Sequence, residues 1–227
     1  MKGHMAREAA DRKSPWWAAC VSLALYAALA DGAGAATWGC YGTKPGHPTV
    51  AEREAFIRDV SALAVKAERT HGVPASVLTA IAIVESGYGW TRVALDANNL
   101  FAWKFVPGAA AGRKSYLPEC QRRPGKGQRF VVFKSRADAV DFVAGRLAMA
   151  QAYREHTETY KAARKRGMAA EPAAKEWLSA IARRYSRKPA EFTQKIIRIM
   201  NNPAAPSDVV SPDANLYRLS AGAGPAR

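Results

Sequence analysis

Apolar residues recur at helical spacing along most of the chain, in segments separated by Gly, Pro and Asn. Thr49 followed by Glu52 forms a capping-box start, and Gly72 is placed to end the helix that follows. A second helix is predicted to open at Pro74 and to close at Gly87. Later helices are predicted from four positions onward: Ser135, Thr157, Pro172 and Pro189. The pattern therefore predicts five or six helices around one core.

The stretch 90–128 lacks a helical period and is rich in Gly, Pro and basic residues. Residues 129–134 are β-branched and aromatic, which predicts a strand that pairs with residues 114–117 as a hairpin. We therefore expect a mainly α fold (α+β) with one small β-hairpin lobe.

The N-terminus has the pattern of a secretory signal peptide. A basic leader precedes the 15-residue apolar run Trp16 to Ala30, and small residues with an Ala33-x-Ala35 site follow. The run is shorter than the ~20 residues that a spanning helix needs, although an uncleaved anchor is the alternative. The predicted organisation is a signal peptide (1–36), an N-terminal segment (37–48), a folded domain (49–202) and a disordered Pro/Ala/Ser-rich tail (203–227).

The chain is strongly basic, with 34 Lys and Arg against 19 Asp and Glu in 227 residues. Four of those basic and three of the acidic residues lie in 1–36, so the net charge falls only from +15 to +14 when the leader is removed. A charge carried by an exported chain favours an anionic cell-wall polymer as partner over nucleic acid. The basic stretch 161–166 is either a solvated helix face or a contributor to that attraction.

Cysteine usage agrees with export. Cys20 lies in the leader, so Cys40 and Cys120 are the pair that the mature chain keeps. A single disulfide is the simplest interpretation, and two free buried thiols are the alternative. No CxxC motif is present and the four His are scattered, so we expect neither a metal nor a cofactor.

Glu85 follows Leu78 and Ile81 on the apolar stripe of its own helix. Partial burial and the negative end of the helix dipole should both raise the pKa of its carboxyl. A carboxylic acid that stays protonated near neutral pH can protonate a departing sugar oxygen. The alternative is a buried Glu that is paired with an Arg.

The motifs around this carboxyl resemble the glucosaminidases of glycoside hydrolase family 73. The first comprises His71-Gly-Val-Pro-Ala-Ser-Val-Leu78 and the element Glu85-Ser-Gly-Tyr-Gly89. The second is Asn98-Asn-Leu-Phe-Ala-Trp-Lys104, in which Ala102 and Trp103 replace a Gly and an aliphatic residue of the family. The resemblance covers roughly residues 50–200.

Two later segments extend the match. Ser115-Tyr-Leu-Pro-Glu119, ahead of Arg129-Phe-Val-Val-Phe-Lys-Ser135, is similar to the family's β hairpin, although Cys120 stands where the family has a Tyr. Tyr185-Ser-Arg-Lys-Pro189 is similar to a third family element. The resemblance implies a lysozyme-like fold for residues 49–202 and cleavage of the β-1,4 bond after N-acetylglucosamine in peptidoglycan.

The resemblance also implies roles for single residues. Glu85 matches the general acid, Glu119 the β-lobe carboxylate, and Tyr185 a cleft residue near the scissile bond. Glycosidic cleavage needs a nucleophile or a base opposite the acid, and Asp96 and Glu119 are the acidic candidates before the second strand. Asp96 suits a loop or cap better, so we choose Glu119. Inverting, retaining and substrate-assisted mechanisms all stay open.

Four further residues are candidates for substrate binding. Asn98 and Asn99 either hydrogen-bond the sugar acetamido group or shape the loop. Tyr88 and Trp103 either stack on sugar rings or belong to the core.

A disulfide at Cys120 would tie the residue beside Glu119 to the N-terminal segment. Our hypothesis is that oxidation limits how far Glu119 can move from Glu85 and so favours a closed cleft.

The function that these observations predict is a periplasmic or secreted peptidoglycan hydrolase. We expect a monomer that acts on glycan strands and has no nucleic-acid partner. Whether it also associates with a flagellum or a secretion system is left open by the sequence. The alternatives are a muramidase or lytic transglycosylase, and a non-catalytic cell-wall-binding assembly factor.

Overall fold

The structure, a computed structural model, describes residues 38–121 and 127–221. The predicted signal peptide and the end of the tail lie outside these ranges. Within them the helices are α1 (Val50–His71), α2 (Ala75–Ser86), α3 (Arg92–Ala97), α4 (Arg136–Met149), α5 (Arg154–Lys165), α6 (Ala170–Tyr185), α7 (Pro189–Asn201) and α8 (Arg218–Ala221). None of the helices in the described ranges is both long and apolar enough to cross a bilayer.

Local signals set the ends of the first two helices where the sequence predicts them. The Thr49 hydroxyl accepts a hydrogen bond from the Glu52 N–H, and the Glu52 carboxylate accepts one from the Thr49 N–H. Gly72 ends α1 and Gly87 ends α2, both in the left-handed conformation. The capping box and the position of Glu85 near the end of α2 are therefore confirmed.

The core is built around α2. Its nine residues from Ala75 to Ile83 are each at most 1% exposed, because α1, α6, α7 and α8 all pack against this helix. A helix that is apolar on all sides is placed at the centre of a bundle. Glu85 thus lies near the end of a helix whose preceding turns are buried on all sides.

A buried carboxylate holds the opposite end of α2. Glu68 of α1 accepts hydrogen bonds from the Ala75 N–H at 3.0 Å, the Tyr160 hydroxyl at 2.6 Å and the Ser220 hydroxyl at 2.8 Å. Burial, followed by the charge of Glu68, raises the pKa of Tyr160, so its hydroxyl stays a donor. This carboxylate therefore joins α1, α2, α5 and α8.

The predicted hairpin forms a second, smaller lobe. Strand β1 (Ser115–Tyr116) pairs antiparallel with β2 (Phe130–Val131), with Tyr116 opposite Phe130. Lys104 forms a further bridge to Phe130, so the loop before the hairpin borders the same sheet. The helical lobe with a small antiparallel β lobe confirms the predicted fold class.

Two segments differ from the sequence-based expectations. Helix α3 lies in the stretch 90–128, and its six residues are too few to show a helical period. The expected disordered tail is ordered from 203 to 221, where Leu216 and Tyr217 are buried and Tyr217 donates to Asn201 at 3.0 Å. Composition misses this segment because two apolar side chains anchor an otherwise polar and Pro/Ala-rich stretch.

Candidate active site

Glu85 is the next-to-last residue of α2, and its side chain is half-buried at the surface of the helical lobe. Burial raises the pKa of its carboxyl, while the positive charge of Lys195 on α7 acts in the opposite direction. The first effect is the larger, so the carboxyl holds its proton to a higher pH than an exposed glutamic acid. This is the direction that the sequence predicts.

Tyr185 at the end of α6 brings a second polar group close to Glu85. Its hydroxyl oxygen is buried and has no hydrogen-bond partner in the described part of the chain. Burial raises the pKa of Tyr185 well above its ordinary value, and the nearby Glu85 carboxylate adds to the effect. Its ring stacks on Phe192, with centroids 5.1 Å apart. A buried, protonated hydroxyl without a described hydrogen-bond partner therefore lies near enough to Glu85 for the carboxylate charge to act on it.

An aromatic cavity of about 350 Å³ extends from Tyr185. We call the following residues the aromatic cavity: Phe101, Trp103, Lys104, Val106, Ala109, Arg146, Tyr153 and Tyr185. The Trp103 and Tyr185 rings lie 6.4 Å apart, which suits a surface that contacts sugar faces. A larger groove of about 520 Å³ between α6 and α7 contains none of the predicted site residues.

Sequence reasoning missed Arg146 and Tyr153 as residues of this cavity. They lie at the end of α4 and immediately before α5, far along the chain from Trp103. Only the packing of the two lobes brings them together, and no local pattern could have indicated it.

Glu119 lies on the β lobe, exposed, in a 3₁₀ turn (Glu119–Gln121) that follows β1. Burial, the Asp96 carboxylate at 2.5 Å and the charge of Glu119 raise the pKa of Tyr116 to about 12. The structure therefore places Glu119 close enough to Tyr116 for its charge to act on that hydroxyl.

The two asparagines organise the loop that carries Trp103. Asn98 ends α3 in the left-handed conformation and donates to the Phe133 carbonyl at 3.2 Å. The fully buried Asn99 donates to the Trp103 and Val131 carbonyls and accepts from the Trp103 N–H at 2.8 Å. These bonds favour the loop-shaping alternative over direct contact with sugar.

Tyr88 does not line the aromatic cavity. Its hydroxyl donates to the Pro203 carbonyl at 2.6 Å, its ring meets Phe56 edge-on, and the Arg53 guanidinium lies over it. These contacts favour packing over the predicted stacking on sugar.

Residues 38–48, which we call the N-terminal brace, cross the loop that follows Glu85. The Arg92 guanidinium lies 3.9 Å from the Trp38 ring centroid, and the His47 ring stacks on Trp90 at the same distance. The Lys44 N–H donates to the Trp90 carbonyl at 2.9 Å. The brace therefore packs along residues 87–92.

A disulfide joins the brace to the β lobe, as predicted. Cys40 is bonded to Cys120, with the two Cα atoms 5.5 Å apart, and the Gln121 amide donates to the Tyr41 hydroxyl at 2.5 Å. Disulfides are typical of proteins outside the reducing cytoplasm. One short segment thus contacts the loop after Glu85 and is covalently linked to the residue after Glu119.

A helical lobe with a partly buried acid, an aromatic cavity beside it and a small β lobe define the class of lysozyme-like glycosidases. In the described ranges no cluster of His, Cys, Asp and Glu is suited to a metal ion. The chain belongs to the glucosaminidase family: its model, described as mannosyl-glycoprotein endo-beta-N-acetylglucosaminidase, matches residues 61–204.

Three solved structures illustrate what the chain is similar to. The catalytic domain of the autolysin Auto from Listeria monocytogenes is 20% identical, with 66% of this chain and 85% of that chain covered and a TM-score of 0.48. A glycoside hydrolase domain of FlgJ from Salmonella typhimurium is 18% identical, with coverages of 63% and 92% and a TM-score of 0.44. An N-acetylmuramoyl-L-alanine amidase from Staphylococcus aureus is 16% identical, with coverages of 78% and 48% and a TM-score of 0.47. No curated protein sequence matches the chain.

Proposed function

We propose that the protein is an exported peptidoglycan endo-β-N-acetylglucosaminidase that cleaves the β-1,4 bond between N-acetylglucosamine and N-acetylmuramic acid. The observation that carries this proposal is the half-buried Glu85 carboxyl, with its raised pKa, in a chain of the glucosaminidase family. Glycosidic cleavage requires an acid that is still protonated when the substrate binds.

In this proposal Glu85 is the general acid. Its proton passes to the glycosidic oxygen as the bond to the sugar carbon breaks, so that the leaving sugar departs as a neutral alcohol. The Lys195 charge then stabilises the carboxylate that remains. Tyr185 supplies the buried hydroxyl donor beside the reacting groups, and its high pKa keeps the donor in place throughout.

Glu119 is proposed as the second carboxylate, which acts on the opposite face of the sugar as a base for water or as a nucleophile. Its exposed place on the β lobe means that this role requires the hairpin to approach the bound glycan. In a substrate-assisted mechanism the 2-acetamido group of the sugar would replace it. Activity retained by Glu119→Gln would support the substrate-assisted route, whereas a loss of 100-fold or more would support Glu119.

Export is part of the same proposal. Residues 1–36 have the composition of a signal peptide, and the disulfide suits an oxidising compartment. The net charge of +14 that remains without residues 1–36 suits residence on an anionic wall polymer.

The test is analysis of the reducing ends that are released from purified peptidoglycan by wild type, Glu85→Gln and the control Glu54→Gln, whose side chain is exposed on α1. We expect reducing-end N-acetylglucosamine from wild type and control, and a loss of 100-fold or more in Glu85→Gln. Anhydromuramyl or reducing muramyl ends would instead identify a lytic transglycosylase or a muramidase. Absence of any product from wild type would leave the non-catalytic wall-binding alternative.

A further inference from the structure

Two cationic side chains reach the aromatic cavity from different parts of the fold. Lys104 follows Trp103 in the loop that borders β2, and Arg146 lies in the last turn of α4. Both line the cavity together with Tyr153 and Tyr185. Neither cation has a part in the proposed proton transfer from Glu85.

Arg146 is held by packing rather than by a counterion. Its guanidinium lies 5.8 Å from the centroid of the Phe142 ring, which in turn meets Trp103 edge-on at 6.2 Å. Arg113 lies over the same Phe142 ring at 4.3 Å, but its charge is paired with Asp138 at 2.6 Å. Through the described ranges no carboxylate forms an ion pair with Arg146 or Lys104.

Arg146 is half-buried and Lys104 is exposed, so both side chains can keep their charged ends at the open surface of the cavity, where an anionic ligand could reach them. Two further cations add to the positive potential around the cavity. The charge of Arg184 acts to lower the pKa of Tyr153, and the charge of Lys195 acts to lower the pKa of Glu85. A cavity of this kind, with aromatic walls and two unpaired cations, suits a sugar that carries a carboxylate.

We propose that Lys104 and Arg146 form a subsite for a carboxylate that the glycan strand carries beside the bond to be cleaved. This proposal rests on the proposed function and specifies which glycan the site prefers. Two sources can supply the group: the acidic residues of the peptide stem, or the lactyl carboxylate of a muramyl residue whose stem has been removed. In both cases a glycan without free carboxylates lacks the group that the subsite binds.

The experiment compares wild type, the double variant Lys104→Gln/Arg146→Gln and a control with the same loss of charge, Lys66→Gln/Arg69→Gln. Both control side chains are exposed on α1 and neither lines the aromatic cavity. Three substrates are used: stem-bearing glycan strands, the same strands after their carboxyls are converted to methylamides, and strands stripped of their stems by an amidase. The readouts are kcat, KM and circular dichroism of each variant.

We expect the double variant to lose about tenfold in kcat/KM on at least one of the two substrates that carry free carboxylates, the stem-bearing or the stripped strands, mainly through KM, since each cation makes a charge-assisted contact. On the methylamide strands the two enzymes should differ by less than about twofold, and the control should match wild type on all three. A loss confined to stem-bearing strands assigns the peptide carboxylates, a loss confined to stripped strands assigns the lactyl carboxylate, and a loss on both shows that the subsite binds either group.

The same loss on methylamide and stem-bearing strands would overturn the proposal, because it would show that the two side chains act by shape alone. No loss on any substrate would overturn it as well. Failure of the proposed function would look different, since wild type would then release no N-acetylglucosamine ends from any of the three.

Discussion

The methyl group of Thr43 occupies the space beside Gly87 that a side chain would need. A Cβ built on Gly87 would lie 2.2 Å from Thr43 Cγ2, and Gly87 has a φ of +56° as the residue that ends α2. Gly87 is two residues beyond Glu85, so the N-terminal brace contacts the end of the helix that carries the acid.

Gly87→Ala should lower the free energy of unfolding by about 2–3 kcal/mol. Roughly 1 kcal/mol comes from placing an L-residue in the left-handed conformation, and the rest comes from overlap with Thr43. Adding Thr43→Ala should remove the overlap and restore the stability lost to it, but the cost of the backbone strain should remain. Urea unfolding of the two single variants and the double variant measures both, and equal destabilisation by Gly87→Ala in either background would contradict the described contact.

Cys120→Ser should lower kcat several-fold while the far-UV circular dichroism stays that of wild type. The disulfide closes 80 residues of chain and joins the brace to the turn that carries Glu119, so its loss should widen the range of positions that Glu119 samples. In the chain-entropy model it is also worth up to about 4–5 kcal/mol of stability. Assays therefore belong well below the unfolding temperature, with Cys40→Ser and reduced wild type as matched samples. Unchanged kcat in all three would refute the hypothesis.

Lys195→Gln should move the alkaline limb of the pH profile of kcat/KM to higher pH. The general acid works only when protonated, so activity falls as pH rises through the pKa of Glu85. Burial already raises that pKa, and the Lys195 charge opposes the rise. Removing the charge therefore raises the pKa further and lets activity persist to higher pH. The control is Lys188→Gln, whose ammonium pairs with Glu191 at 2.9 Å, and a limb shifted to lower pH would contradict the assignment.

Glu68→Ala should cost about 3 kcal/mol in the free energy of unfolding, because three buried donors lose their acceptor. Tyr160→Phe removes one of these bonds and should cost about 1 kcal/mol. Since the two residues share a hydrogen bond, the double variant should cost less than the sum. Chemical denaturation gives all three values, and glycan cleavage at low temperature should match wild type. A loss of activity without a loss of stability would argue against this structural role.

Local features are what the sequence predicts well. The capping box at Thr49, the helix end at Gly87 and the hairpin of 114–117 with 129–134 are set by neighbouring residues, and the structure confirms them. Glu85 belongs to this group, because the helical period alone places it at the end of an apolar stripe.

Features that depend on distant contacts are not predictable in the same way. Arg146 and Tyr153 join Trp103 only through packing, and the order of residues 203–221 depends on Leu216 and Tyr217 reaching the core. The place of Glu119 relative to Glu85 likewise follows from how the hairpin rests on the helices, which no short pattern encodes.

The burial of α2 makes the helical lobe the more rigid of the two lobes. The residues from Ala75 to Ile83 have almost no exposed surface, so close packing on all sides prevents the helix from shifting. The main chain at Glu85 is therefore held in a fixed position. The β lobe, in contrast, is held together by a sheet with two residues in each strand, so we expect it to move more easily. Under the proposed function, adjustment to different glycans therefore falls to the β lobe, and engineering of substrate binding should change the hairpin rather than the helix.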